Sequence, residues 1–210
     1  MIGHLRQITP AELKDLQSNP NAVRDTVHGE TPWTVRRVQD ALQRIEETSK
    51  ELRARAAGKT PAERQQIRSQ LLKELAAGAG AAFPYGPDEV SLSLEKSWHV
   101  LHYLLTGEAE EAPPPLGNAI LGGTEIGGDL GYGPARFLSP QQVREVAAAL
   151  ATISKVDLAK RFDLDAMIKA HIYPCRDEDE LEMAQHHFEH LSPYYADAAK
   201  NGNAMLLYII

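Results

Sequence analysis

One cysteine in 210 residues excludes an internal disulfide and any multi-cysteine zinc site, and it suits a reducing compartment. No apolar run is long enough to cross a bilayer, and Met1-Ile2-Gly3-His4-Leu5-Arg6 lacks the apolar core of a secretory signal. A cytoplasmic protein without a membrane partner is therefore expected. Positive charge is short as well: 22 Lys and Arg stand against 29 Asp and Glu, a formal net charge of -7. That balance repels nucleic acid, and no basic face offsets it. Signatures of chemistry are missing too. GxxxxGK[ST], GxGxxG and HExxH are all absent, so no cofactor, metal or catalytic residue is assigned.

What is present has helical and strand periodicity in clear order. Ile2 to Ile8 alternates loosely like a half-buried strand, and Thr9-Pro10 with Glu12 starts a helix that Asn19-Pro20-Asn21 ends. At the other end, Ala204 to Ile210 is a fully apolar strand whose natural partner is the N-terminal one. Between them, Lys96 to Gly107 reads as a buried helix with a sharp stop. On a 3.6-residue wheel Leu94, Trp98, Leu101 and Leu105 form its apolar stripe, with Glu95, His99 and His102 along the edge. Ser139-Pro140-Gln141-Gln142 carries the cap, proline and glutamine of a helix start, and a further short helix begins near Asp157. Acidic residues 177 to 180 open a helix that Ser192-Pro193 is expected to kink or restart.

Residues 33 to 77 differ in composition. They are polar, charged and alanine-rich, with Val35, Val38, Leu42 and Ile45 and then Ile67, Leu71 and Leu75 at helical spacing. An inserted helical hairpin is expected, turning at Thr60-Pro61, with thin apolar stripes that suit docking or a homodimer contact. Its arginines are interleaved with glutamates, which favours a solvated ion-paired face over a phosphate site. The sequence thus points to one α+β domain over 1–210, a small sheet of N- and C-terminal strands packed on several helices, with this hairpin inserted.

Three clusters invite a chemical reading. Seven glycines lie between Gly117 and Gly133 with Leu116, Ile120, Leu121, Ile126 and Leu130 interspersed, so the segment is an anchored, irregular loop more than a linker. It carries Thr124, Glu125, Asp129 and Tyr132, with Arg136 just beyond. Together with Trp98 and His102 these are the candidate binding residues, forming one polar recess between loop and helix edge. Glu182, His186 and His190 recur every fourth residue on a water-facing stripe, a geometry for adventitious metal only. Cys175 beside Arg176 would have a lowered thiol pKa if that charge dominates, but neither base nor oxyanion site accompanies it.

The blocks Met1-Ile2-Gly3, Lys96-Ser97-Trp98, Leu105-Thr106-Gly107, Gly122-Gly123-Thr124-Glu125, Asp129-Leu130-Gly131-Tyr132-Gly133-Pro134 and Ile172-Tyr173-Pro174 resemble, in this order, the YfbM-like family of uncharacterised bacterial proteins, DUF1877. The resemblance implies a single α+β domain and bacterial origin, and it carries no activity. Residues 33–77 look like an addition to that pattern, and Cys175-Arg176-Asp177 departs from it. With no nucleophile and base paired, the expected function is non-catalytic binding of another protein or a small polar ligand. An immunity-type role, blocking a toxin, is one form of it. The competing expectation is a hydrolase or transferase using His102 as base with Glu125 or Asp129 as its partner.

Overall fold

The computed structural model describes residues 1–28, Lys50, Ile67 and 91–210. Backbone contacts divide the chain into two compact units, Met1–Val27 with Ser91–Ile210, and His28–Val90. The hairpin expected over 33–77 falls in the second unit and lies outside the described residues. The first unit contains strands β1 (Gly3–Ile8), β2 (Ser91–Glu95), β3 (Thr124–Asp129), β4 (Pro134–Leu138) and β5 (Ala204–Ile209). Its helices are α1 (Pro10–Ser18), α2 (Ala22–Val27), α3 (Trp98–Thr106), α4 (Pro140–Leu150), α5 (Lys155–Arg161), α6 (Leu164–Lys169) and α7 (Asp179–Lys200), with a 3-10 turn at Leu116–Ala119. None of these helices is long and apolar enough to cross a membrane.

All neighbouring strands are antiparallel, in the order β2-β1-β5-β4-β3. The two ends of the chain meet as expected. His4 faces Tyr208 and Leu5 faces Leu207, and beyond the ladder Ile2 N–H donates to Ile210 O at 2.6 Å while Ile210 N–H returns a bond to Ile2 O at 3.0 Å. Because opposed residues share a face, Gly3, Leu5 and Gln7 lie on one side with Ile209, Leu207 and Met205. That side carries α3 and α7. On β1, the Tyr194 hydroxyl takes up the edge where β2 stops, accepting from Gln7 N–H at 2.9 Å and donating to Leu5 O at 3.2 Å. The buried Gln7 amide in turn donates to Tyr194 O and accepts from Asn203.

The expected caps are present. Thr9 and Glu12, and Ser139 and Gln142, each exchange side chain and backbone bonds in a capping box, worth about 1 kcal/mol at each helix start. Helix α3 ends at Gly107, whose φ is 82°. Arg161 adds a tertiary cap there, donating from Nη1 to Leu104 O and Leu105 O at 3.0 Å each.

Three elements differ from expectation. Leu94 and Glu95 belong to β2, so the helix begins at Trp98 and Glu95 does not share its edge. The alternation Ser91-Leu92-Ser93-Leu94 is the strand signal, and pairing with β1 decides it. The glycine segment is mostly a β-hairpin. Its register shifts between Ile126 and Asp129, where Gly127 has φ 81° and a Cβ would stand 2.9 Å from Val23 Cβ. Glycine there serves the close approach of α2 and a bulge. Finally, α7 continues through Pro193, so of the expected kink or restart the restart does not occur. Buried Leu191, Tyr194, Tyr195 and Ala198 on either side of the proline hold it, outweighing a cost of roughly 3 kcal/mol.

Gly3 is where sheet and helix touch. A Cβ on it would stand 2.5 Å from Trp98 Cβ and 2.8 Å from Trp98 Cγ. Gly3→Ala is expected to cost about 1–3 kcal/mol through this overlap, read as a lowered urea midpoint at unchanged slope. Tyr194→Phe should cost about 1–3 kcal/mol by stranding Gln7 N–H and Leu5 O. An unchanged midpoint in either variant would show that the contact is not holding β1 in place.

Candidate functional site

At the end of the sheet where β5 leaves and β4 enters, a recess of about 470 Å³ opens. Leu207, Tyr208 and Ile209 of β5 and Pro134 and Arg136 of β4 border it on one side, Trp98 and His99 of α3 on another. Residues 109–111 of the proline-rich linker, Ile120, Leu121 and the turn residue Tyr132 complete it. The volume lies within the range of small-molecule sites.

Helix α3 shapes this wall with its first turn. Trp98 is 7% exposed and stacks on His99, ring centroids 4.8 Å apart and nearly parallel. Its indole Nε1 is buried and has no hydrogen-bond partner among the described residues. His99 is fully committed: Tyr173 N–H donates to its Nδ1 at 3.0 Å, so Nε2 carries the proton and donates to Ala109 O at 2.7 Å. Protonating Nδ1 would set two donors against each other. Burial, acting against this bond to Ala109 and the nearby Glu110 charge, keeps the imidazole pKa below its ordinary value.

One turn on, His102 repeats the device. It is completely buried, and Nε2 donates to Glu110 O at 2.5 Å, while Nδ1 has no partner among the described residues. Burial is the main cause of a pKa near 4, with the Glu110 carbonyl opposing it and His99 adding to it. Two consecutive carbonyls of the linker are thus held by two neutral histidines three residues apart. This corrects the expectation that His102 faces the glycine segment: its partner is the acidic linker, and it is not among the residues lining the recess.

The remaining candidates separate. Arg136 lines the recess and donates from Nη2 to Glu125 Oε1 at 3.0 Å, while Glu111 lies 3.7 Å from Nη1. Glu125 enters only through that pair, and Tyr132, 57% exposed, stands at the rim. Asp129 is occupied with the hairpin turn, accepting from Gly131 N–H at 2.7 Å and Gly133 N–H at 3.0 Å, bonds that lower its pKa. Thr124 is exposed on β3 and does not line the recess. Neither Glu125 nor Asp129 is hydrogen-bonded to His102, so the expected base and acid pair does not form. The structure brings together Trp98, Tyr132 and Arg136, and adds His99 and the end of β5. His99 had a signal, its spacing from His102; the contribution of β5 had none.

Elsewhere the chemistry recedes. Burial, then Glu180 and Asp177, raise the Cys175 thiol pKa, so Arg176 does not dominate it as the sequence suggested. His186, Glu189 and His190 spell an HxxEH order on α7. Yet Glu189 is ion-paired with Lys155, and among the described residues no three donors gather for a metal.

Comparison with known proteins agrees with the fold. The profile of a domain of unknown function, DUF1877, matches residues 1–208, and the chain belongs to that family. The crystal structure of a protein of unknown function, YfbM from Escherichia coli, is similar at TM-score 0.61 and 18% identity, with all of both chains covered. No curated protein matches the sequence.

The histidine clamp makes stability depend on pH with a definite sign. Between about 4 and 6.5 the unfolded chain binds a proton at residue 102 that the folded chain does not. Stability from this site is therefore complete above pH 6.5 and is lost as pH falls toward 4, up to roughly 3 kcal/mol. His102→Gln, which keeps a donor for Glu110 O without titrating, should flatten that part of the urea-midpoint profile. An equal slope in both proteins would place the acid sensitivity elsewhere.

Proposed function

We propose that the chain is a non-catalytic binding protein of the bacterial cytoplasm that holds a small polar-ended ligand, or a side chain of another protein, in the recess between α3 and the end of β5. The observation that supports this reading most is the lining itself. Among the described residues it offers no serine, threonine, cysteine or lysine, and its imidazole, His99, has both nitrogens committed to backbone groups. What it does offer is apolar and aromatic surface with one guanidinium, Arg136, and two linker carboxylates, Glu110 and Glu111, groups that can orient a ligand. An immunity-type role is the protein-partner form of this reading, and a homodimer through residues 33–77 would be compatible with it.

A thermal-shift screen against small metabolites tests it. A ligand at a hundred times its Kd should add about 2.7 kcal/mol to stability. The gain should shrink in Tyr132→Ala, whose exposed ring contributes within about 0.5 kcal/mol to the unliganded fold, and in Arg136→Ala. Hits that stabilise these variants as well as the parent would move the site elsewhere, and conversion of a hit to product, seen by mass spectrometry, would replace binding with catalysis.

A further inference from the structure

Arg136 brings unused donors to the recess. The side chain carries five N–H groups, and among the described residues one hydrogen bond, to Glu125, uses one of them. Glu111 lies 3.7 Å away, too long for a hydrogen bond, and its side chain is 85% exposed on the linker. Trp98, another lining residue, keeps a buried indole N–H that has no partner among the described residues. The same lining holds apolar and aromatic groups, Ile120, Leu121, Leu207 and Tyr132. An acceptor-rich head on an apolar body is the complement of such a surface.

Charge narrows the head group. Arg136 already has one firm carboxylate beside it and a second, Glu111, held loosely. A monocarboxylate that takes the place of Glu111 lets that exposed side chain turn to solvent, so the guanidinium still faces two carboxylates. A phosphate dianion adds negative charge beside Glu125 and Glu110, and an ammonium group meets the guanidinium as a like charge. We infer that the recess binds a monocarboxylate with an apolar or aromatic body, and that Glu111 of the linker occupies the carboxylate position when no ligand is bound. The assignment rests on the binding reading above and specifies its ligand class. The carboxylate is the shared chemistry of a free organic acid and of a peptide C-terminus, and both are probed.

The test uses the full chain with Trp33→Phe, which leaves Trp98 as the single indole, and reads its fluorescence. Titrants share one body: phenylacetate, phenylacetamide, phenethylamine and benzyl phosphate, with N-acetyl-phenylalanine and an acetylated tripeptide ending in phenylalanine as free-acid and C-terminal forms. Phenylacetate or one of the two larger carboxylates should saturate at least ten-fold more tightly than the amide, the amine and the phosphate. The better of the two larger forms then identifies the source. Glu111→Ala, an exposed linker change that spares the core, should tighten the carboxylate about two- to five-fold, the worth of an exposed ion pair. Arg136→Gln should weaken it ten- to a hundred-fold, with circular dichroism confirming that the variant is folded. Preference for amide, amine or phosphate, or no gain in Glu111→Ala, overturns the carboxylate assignment while leaving a binding recess. Failure of every titrant to bind, together with a thermal-shift screen without hits, removes the binding reading itself.

Discussion

The antiparallel pairing of β1 with β5 is the constraint on which the other elements depend. It joins residues about two hundred positions apart in the two strands at the heart of a five-stranded sheet. Closing so long a loop is entropically unfavourable, and what offsets it is burial on both faces: Leu5, Ile8 and all of Ala204 to Tyr208 are buried. β2 and β4 add to the outer edges of this pair, and β3 follows β4. Helix α7 leads directly into β5, and its Tyr194 returns to bind β1, so the longest helix is tied to the pair covalently at one end and by hydrogen bonds along its side.

The same pair positions the recess. Gly3 lets β1 approach Trp98 at a distance no other residue permits, which sets the first turn of α3 against the sheet end. From that turn, His99 and His102 bind the carbonyls of Ala109 and Glu110, which fixes this part of the linker in the wall of the recess. Glu111 then reaches Arg136 from the linker, and Glu125 reaches it from β3. The polar character of the recess is therefore built from four separate segments. Histidine serves here as a clamp on backbone carbonyls, in keeping with the rule that buried polar groups are hydrogen-bonded.

Much of this architecture was legible in the sequence because it is encoded locally. The capping boxes at Thr9 and Ser139 and the stop at Gly107 need only neighbours to act, and all are present. The apolar run of β5 and the alternation of β1 similarly announce strands, and the burial of Trp98, Leu101 and Leu105 follows from one wheel. β2 escaped because five residues with serines at alternate positions carry too little hydrophobic signal without their partner strand. The hairpin of β3 and β4 escaped because its glycines answer to contacts from α2 and to a bulge, which are tertiary demands that look like loop composition.

The candidate site divides along the same line. By itself the sequence determined that Trp98 lies at a core edge, that Tyr132 and Arg136 sit on a glycine-shaped segment, and that no nucleophile is paired with a base in any local motif. Only the tertiary structure decided which of two histidines borders the recess, that both are spent on linker carbonyls, and that Asp129 belongs to a turn. The physical reason is the helical period. Residues 99 and 102 differ by less than one turn, so sequence places both on one edge, whereas their surroundings are set by which distant segment covers each position. That choice is made by the packing of the linker and β5 against α3, a contact written nowhere in the neighbourhood of either residue.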